Sequence, residues 1–206
     1  HEQDLNPEQR QAYDSILQSV ESSSGKMIYL DAPGGTGKTF VLNLLLKKIR
    51  QQGATAIAVA ASGIAATLLD HGRTAHNAFK LPVDIHGSEK PLCDISRGTL
   101  HGKMLTEASL IVWDECTMTH KKLYEAVDRT LRDIREVEEP MGGVTFVMAG
   151  DFRQQLPIVQ RGTRADTVDA CVKKSHLWKD VKTLNLTTNM RVKLYGDPST
   201  AQFSSS

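Results

Sequence analysis

Ala32-Pro33-Gly34-Gly35-Thr36-Gly37-Lys38-Thr39 is the stretch whose reading decides the fold. It follows an apolar run, Met27-Ile28-Tyr29-Leu30, and opens a helix-like run from Phe40 to Ile49. A strand, a glycine-rich turn and a helix in that order make a phosphate cradle. The glycines let consecutive backbone N–H groups turn toward phosphate oxygens, and the helix start adds the positive end of its dipole. Lys38 then reaches the β- and γ-phosphates, and the Thr39 hydroxyl holds Mg²⁺. Ala32 stands where the strict pattern has glycine, a mild departure because the later glycines make the turn. The plain alternative is a glycine-rich connector. Lys-Thr at this offset, with both flanks correct, argues for a nucleoside triphosphate instead.

The rest of the composition narrows the partners. A chain of 206 residues fits one domain with a sizeable core. With 25 Lys+Arg against 24 Asp+Glu, no global field draws it to nucleic acid or membrane, so any nucleic-acid contact must be local. Cys93, Cys116 and Cys171 lack paired spacing, which argues against a disulfide framework, and the 7 histidines lack metal-ligand spacing. No apolar run approaches a membrane span, and no signal peptide opens the chain. The chain starts at His1 and ends in Ser204-Ser205-Ser206, which reads as the edges of a longer protein or tag remnants.

Working outward, Asn6-Pro7-Glu8-Gln9 has the cap, first-turn proline and capping-box partner of a helix start. Tyr13, Ile16, Leu17 and Val20 follow at helical spacing. Apolar runs at Met27–Leu30, Ala56–Ala60, Leu110–Trp113, Val144–Ala149 and, more weakly, Val181–Leu186 read as strands. Between them lie helical patterns, clearest at Lys122–Val137, with Leu123, Val127, Leu131 and Ile134 on one face. Continuous apolar strands alternating with helices predict an α/β fold, a mostly parallel sheet with helices on both faces. Lys80–Gly98, with Pro82 and Pro91, reads as an irregular surface excursion.

In such folds ligands gather at the carboxyl ends of the strands. The polar motifs of this chain fall there. Ala61-Ser62-Gly63-Ile64-Ala65 follows the second run, Asp114-Glu115 the third, and Gly150-Asp151-Phe152-Arg153-Gln154-Gln155-Leu156-Pro157 the fourth. Asp114 can hold Mg²⁺ through water, and Glu115 is placed to orient and deprotonate an attacking water, which implies hydrolysis. The alternative is an Asp-Glu pair that caps the next helix. Gln154 falls close enough to meet a γ-phosphate or the attacking water; Gln155 keeps that assignment open by one position.

These segments, with Leu5-Asn6-Pro7-x-Gln9, Thr74-Ala75-His76-Asn77-Ala78-Phe79 and Leu186-Thr187-Thr188-Asn189-Met190-Arg191, stand in the order of a superfamily-one DNA helicase. The chain resembles the petite-integration-frequency (Pif) family. The spelling Gly-Asp-Phe-Arg-Gln-x-Leu-Pro and Leu177-Trp178 before Asn189-Met190-Arg191 resemble its Helitron-related branch. The resemblance covers nearly the whole chain and implies a RecA-like P-loop domain, residues 1–206, moving 5′ to 3′ on single-stranded DNA. It implies roles in replication, repair, recombination or telomere maintenance, and an intracellular setting: nucleus, mitochondrion or bacterial cytoplasm. ATP and Mg²⁺ are the implied cofactors.

Residue by residue, the resemblance makes Gln9 the adenine reader, within an N-terminal segment of about residues 1–22. Pro33, Gly34, Gly35, Thr36, Gly37, Lys38, Thr39 and Phe40 would surround ATP, and Thr39 and Asp114 would serve the metal. Glu115 would be the base, Gln154 the γ-phosphate reporter, and Arg191 a cation reaching the γ-phosphate from the far side. Ser62, Gly63, Thr74 and His76 would line DNA, since small hydroxyl groups and backbone N–H groups grip phosphates without reading sequence. An even alternative makes Thr74 and His76 a capped turn feeding a core Phe79. Lys173, Lys174 and Lys179 could face DNA or form a solvated helix face.

A second RecA-like domain, the partner such motors need for another arginine and half the DNA track, has no motifs here. An arginine supplied across the cleft is worth roughly 10³–10⁵ in rate. The expectation is therefore a chain that binds nucleotide but turns it over feebly alone. Two rivals remain: a nucleotide-gated DNA-binding module without turnover, and a small-molecule kinase. A kinase would carry an acceptor pocket and an arginine-rich lid. A GTPase is excluded, since no Asn-Lys-x-Asp occurs.

Overall fold

Alternation along the central strands sorts side chains onto two faces, each with its own core. The computed structural model describes residues 1–154 and 156–190. Five strands match the sequence-based expectation to within about a residue or two at each end: β1 (Met27–Asp31), β2 (Thr55–Ala60), β4 (Ala108–Asp114), β5 (Thr145–Gly150) and β6 (Val181–Asn185). A sixth, β3 (Arg73–Thr74), gave no apolar run to read because it is two residues long. The sheet is parallel throughout, in the order β3-β2-β4-β5-β1-β6.

On one face Ile28, Leu30, Ala58, Val112 and Val147 pack against α1 (Pro7–Glu21) and α2 (Lys38–Gln51). On the other, Tyr29, Val59, Trp113, Phe146 and Met148 pack against α4 (Ala75–Phe79), α5 (Leu100–Glu107) and α6 (Lys121–Arg135). Both faces are therefore covered, which explains the uninterrupted apolar strands. β6, at the sheet edge, buries only Leu184 fully, and its weak pattern follows from that.

Several boundaries moved for local reasons. Helix α6 ends at Arg135 rather than Val137, because Glu136 takes a left-handed conformation (φ 55°). Leu186 lies outside β6, yet its N–H still donates to Asp31 O at 2.9 Å and its side chain is buried. The segment 80–98 has no helix or strand, as expected, but it is anchored rather than loose. Leu81 and Cys93 enter the core, Cys93 N donates to Thr130 Oγ1 at 3.1 Å, and Arg129 Nη2 donates to Pro91 O at 2.7 Å.

The helix start at Asn6 forms as predicted. Asn6 Oδ1 accepts from Gln9 N at 2.8 Å, while Gln9 Oε1 accepts from Asn6 N at 3.0 Å.

Candidate functional site

The parallel register brings Asp31, Ala60, Thr74, Asp114, Gly150 and Asn185 to one edge of the sheet. Most of the polar residues that the sequence singled out among the described residues hang from that edge or from the loops leaving it; Gln9 lies on α1 instead. Ala32 is buried and donates to Gly150 O at 3.0 Å, so the methyl where the strict pattern has glycine is accommodated by packing. Gly35 and Gly37 take positive φ (82° and 77°), and Gly37 caps α2. Those left-handed positions turn the loop onto the helix start, where backbone N–H groups lack intrahelical partners.

Gln9 is part of this loop's scaffold. It is 1% exposed, and its Nε2 donates to Thr36 O at 3.0 Å. A Cβ on Gly37 would run into that amide. The residue assigned to adenine thus braces the loop while closing the helix cap. Thr36 Oγ1 donates to Pro33 O at 2.7 Å within the same turn. Phe40 lines an open groove with His1, Glu2 and Asn43.

Lys38 Nζ pairs with Asp114 Oδ1 at 2.7 Å, with Asp114 nearly fully buried. The same oxygen accepts from Glu115 N at 2.8 Å. A buried carboxylate needs such partners, because an uncompensated buried charge costs several kcal/mol. Glu115 itself has φ 53°, an uncommon conformation for a residue with a side chain. Its side chain caps nothing: the turn Cys116–Met118 has no side-chain cap, and α6 is capped by His120. The helix-capping alternative for this dipeptide fails on that geometry. Instead Glu115 Oε2 accepts a hydrogen bond from Ser62 Oγ at 3.2 Å.

Gln154 is exposed and its Nε2 lies beside Gly34, 3.5 Å from where that glycine's Cβ would stand. Asp151, buried at the end of β5, accepts from Arg153 N at 2.9 Å and Arg153 Nε at 3.1 Å. Burial opposes its charge, but those hydrogen bonds, the Arg153 guanidinium and Lys38 together hold its carboxyl below the usual range. Nearby, burial pushes the Cys116 thiol well up, with the Asp114 charge adding to it, so this sulfur is an inert neighbour.

Ser62 caps α3 (Gly63–Leu68) by accepting from Ala65 N, and Thr74 caps α4 by accepting from Asn77 N, both at 3.2 Å. The capped turn into a buried Phe79 is therefore real, and His76 stays exposed beside it. His76 lines a groove of about 450 Å³ with Met118, His120, Leu156 and Ile158. Burial, then the charge of Lys122, holds His120 below its ordinary value, and its Nδ1 accepts from Lys122 N. Lys173 lies in a 3-10 turn, Val172–Lys174, rather than on a helix face, and its Nζ sits 4.2 Å from the Phe152 ring centroid. Lys174 shares that turn, and Lys179 falls in the next, His176–Asp180.

Sequence reasoning missed a latch behind the loop. Glu8 accepts from the Thr187 hydroxyl, from Thr187 N at 2.7 Å and from Thr188 N at 3.1 Å. Met190 N donates to Gly35 O at 2.8 Å, and Asn6 Nδ2 contacts Met190 Sδ. The only signal was Glu8 sitting one residue before Gln9. Arg191 and Gln155 lie outside the described residues.

Against this geometry, a family model described as PIF1-like helicase matches residues 4–204. The chain belongs to the PIF1-like helicase family. The ATP-dependent DNA helicase Pif1 of Psychrobacter is 32% identical over 139 residues, covering 68% of this chain and 21% of that protein. The Saccharomyces cerevisiae PIF1 is 29% identical over 169 residues, covering 81% of this chain and 19% of that protein. The crystal structure of Pif1 helicase from Candida albicans superposes with a TM-score of 0.76 at 23% identity, over 96% of this chain and 42% of that one. A Bacteroides Pif1 complex with ADP-AlF3 and ssDNA gives 0.72 at 25% identity, over 87% and 42%. The fold is thus the RecA-like domain of PIF1-like helicases. The chain spans about a fifth of these relatives and under half of the solved structures.

No helix among the described residues is long and apolar enough to cross a membrane. Nor do they hold a cluster of three or more His, Cys, Asp or Glu fit for a metal. A Mg²⁺ here would rest on one hydroxyl, one carboxylate, water and phosphate oxygens, the donor set this hard cation prefers. Thr39 at the start of α2 and Asp114 at the end of β4 match that set.

Proposed function

We propose that this chain is the first motor domain of an ATP-driven helicase that moves 5′ to 3′ on single-stranded DNA. The observation that carries the reading is the Lys38–Asp114 pair at 2.7 Å with Glu115 bonded to the same carboxylate. It supports a site in which phosphate binding, metal binding and water activation would share one strand end.

ATP would lay its phosphates along residues 33–39, drawing Lys38 off Asp114 toward the β- and γ-phosphates. Mg²⁺, held by Thr39 and through water by Asp114, would neutralise charge that builds on the phosphates. Glu115 would accept the proton of the attacking water, a role worth roughly 10²–10⁴ in rate. Gln154, beside Gly34, supports the γ-phosphate-reporting role; Arg191 is assigned by resemblance alone. Gln9 would meet adenine from the rigid start of α1.

The DNA strand would pass along Ser62, Gly63, Thr74 and His76, with the adjoining groove taking bases. These groups grip without sequence preference. A second RecA-like domain would supply another arginine and the other half of the track, so this chain alone should bind nucleotide and turn it over feebly.

The test is the ATPase rate with and without single-stranded DNA, for this chain alone and joined to a second motor domain. The reading predicts DNA stimulation that appears in the joined protein. Turnover by this chain alone equal to the joined protein's DNA-stimulated rate rejects the two-domain account. Phosphorylation of an added small acceptor rejects hydrolysis in favour of a kinase.

A further inference from the structure

Ser62 links the two halves of the site, and its hydroxyl chemistry limits what it can do at once. Its oxygen accepts from Ala65 N at 3.2 Å, and its one hydrogen goes to Glu115 Oε2, also at 3.2 Å. A serine hydroxyl has a single hydrogen to donate. The Glu115 carboxylate, presented on a left-handed backbone at the end of β4, is therefore tied to the loop that leaves β2. That hydrogen bond fixes the direction in which the carboxylate points.

The loop is also open on its outer side. Gly63 has no atom within 4 Å of where a Cβ would stand, and Ile64 is 82% exposed. An incoming strand can approach Ser62 without displacing packed side chains.

We propose that Ser62 is a positioning residue that restrains Glu115 until a phosphate of single-stranded DNA accepts the same hydrogen. Bound DNA then frees the Glu115 carboxylate to turn toward the attacking water, and nucleotide turnover rises. The inference rests on the motor reading given above and adds to it a specific coupling between track and base.

The test uses a protein with both motor domains and oligothymidylate as the DNA probe, at saturating DNA and nucleotide. Ser62→Gly removes the hydroxyl, and glycine at a helix cap costs only a few tenths of a kcal/mol relative to serine. Loss of one hydrogen bond to a charged group should raise the DNA-free rate about 10- to 100-fold. The ratio of stimulated to DNA-free rate should fall by the same factor, and Ser62→Thr should restore it. A merely structural role would lower both rates together and leave the ratio alone, which overturns the proposal. So does a Ser62→Gly protein whose DNA-free rate is unchanged while only the stimulated rate drops, since Ser62 would then contact DNA without restraining the base. Glu115→Gln is the control: if it abolishes turnover and the Ser62→Gly ratio is wild type, the coupling fails and the motor reading stands. If Glu115→Gln turns over normally, both fail.

Discussion

The loop at 32–39 and the segments at 61–79 sit on the same sheet edge, yet they are built differently. The phosphate loop is held from behind by Gln9 on Thr36 O and by Met190 N on Gly35 O, and it turns on two left-handed glycines. Its conformation is over-determined before any ligand arrives, which suits a site that must present N–H groups to phosphate at no reorganisation cost. The 61–79 segments are braced only farther along, where Asn43 and Arg50 of α2 hold Leu68 O and Asp70. Their hydroxyl groups cap short helices, and the Ser62 hydrogen reaches across to Glu115. One region is a rigid socket; the other is a set of small polar groups that can change partners.

That contrast can be broken most forcefully at Lys38. Lys38→Ala should weaken nucleotide binding about 10- to 100-fold, given about 1.5–3 kcal/mol for hydrogen bonds to charged groups. It also leaves Asp114 buried without its cation. Adding Asp114→Asn should recover much of the lost stability but none of the affinity, as read by denaturant unfolding and nucleotide titration. Recovery of both would mean that Lys38 acts on Asp114 alone.

The rigid-socket account is sharpened at Gly37. Gly37→Ala should cost about 1–2 kcal/mol for its left-handed backbone, and about 1 kcal/mol more for expelling the Gln9 amide. In a Gln9→Ala background only the backbone part should remain. Additive losses would show that Gln9 does not brace the loop.

On the other side, Thr74→Ala should cost about 1 kcal/mol through the lost cap of α4. Thr74→Asp keeps a capping oxygen, so it should hold stability while weakening single-stranded DNA binding through charge repulsion. If both variants bind DNA like the wild type, Thr74 is a cap and nothing more.

Smallest is the latch at Glu8. Hydrogen bonds from the Thr187 side chain and backbone, then from Thr188, hold Glu8 below the usual value of 4.5. A carboxyl depressed in the folded state contributes stability that is fully present above the unfolded pKa and lost as pH falls through the folded one. Wild type should therefore lose slightly more stability than Glu8→Gln as pH drops below about 4.5. Equal pH profiles would remove the latch from the account.

Legibility in the sequence followed the same divide. Gly34–Thr39 could be read because backbone geometry demands those residue types at that spacing, and the buried strands because both faces are covered. The two residues of β3 were too few to carry a pattern, and nothing local announced that Leu81 and Cys93 would anchor the 80–98 segment to α6. Ser62 and Thr74 were ambiguous for a physical reason: a cap and a phosphate contact ask for the same small hydroxyl. The Lys38–Asp114 pair joins residues 76 positions apart, and only the sheet order brings them together.

The central claim is that this strand end hydrolyses nucleotide through Glu115. The direct measurement is nucleotide affinity and single-stranded-DNA-stimulated turnover of Glu115→Gln in a protein carrying both motor domains. The account predicts wild-type affinity with turnover reduced roughly 10²–10⁴-fold. Turnover within a few-fold of wild type, with affinity intact, would contradict it.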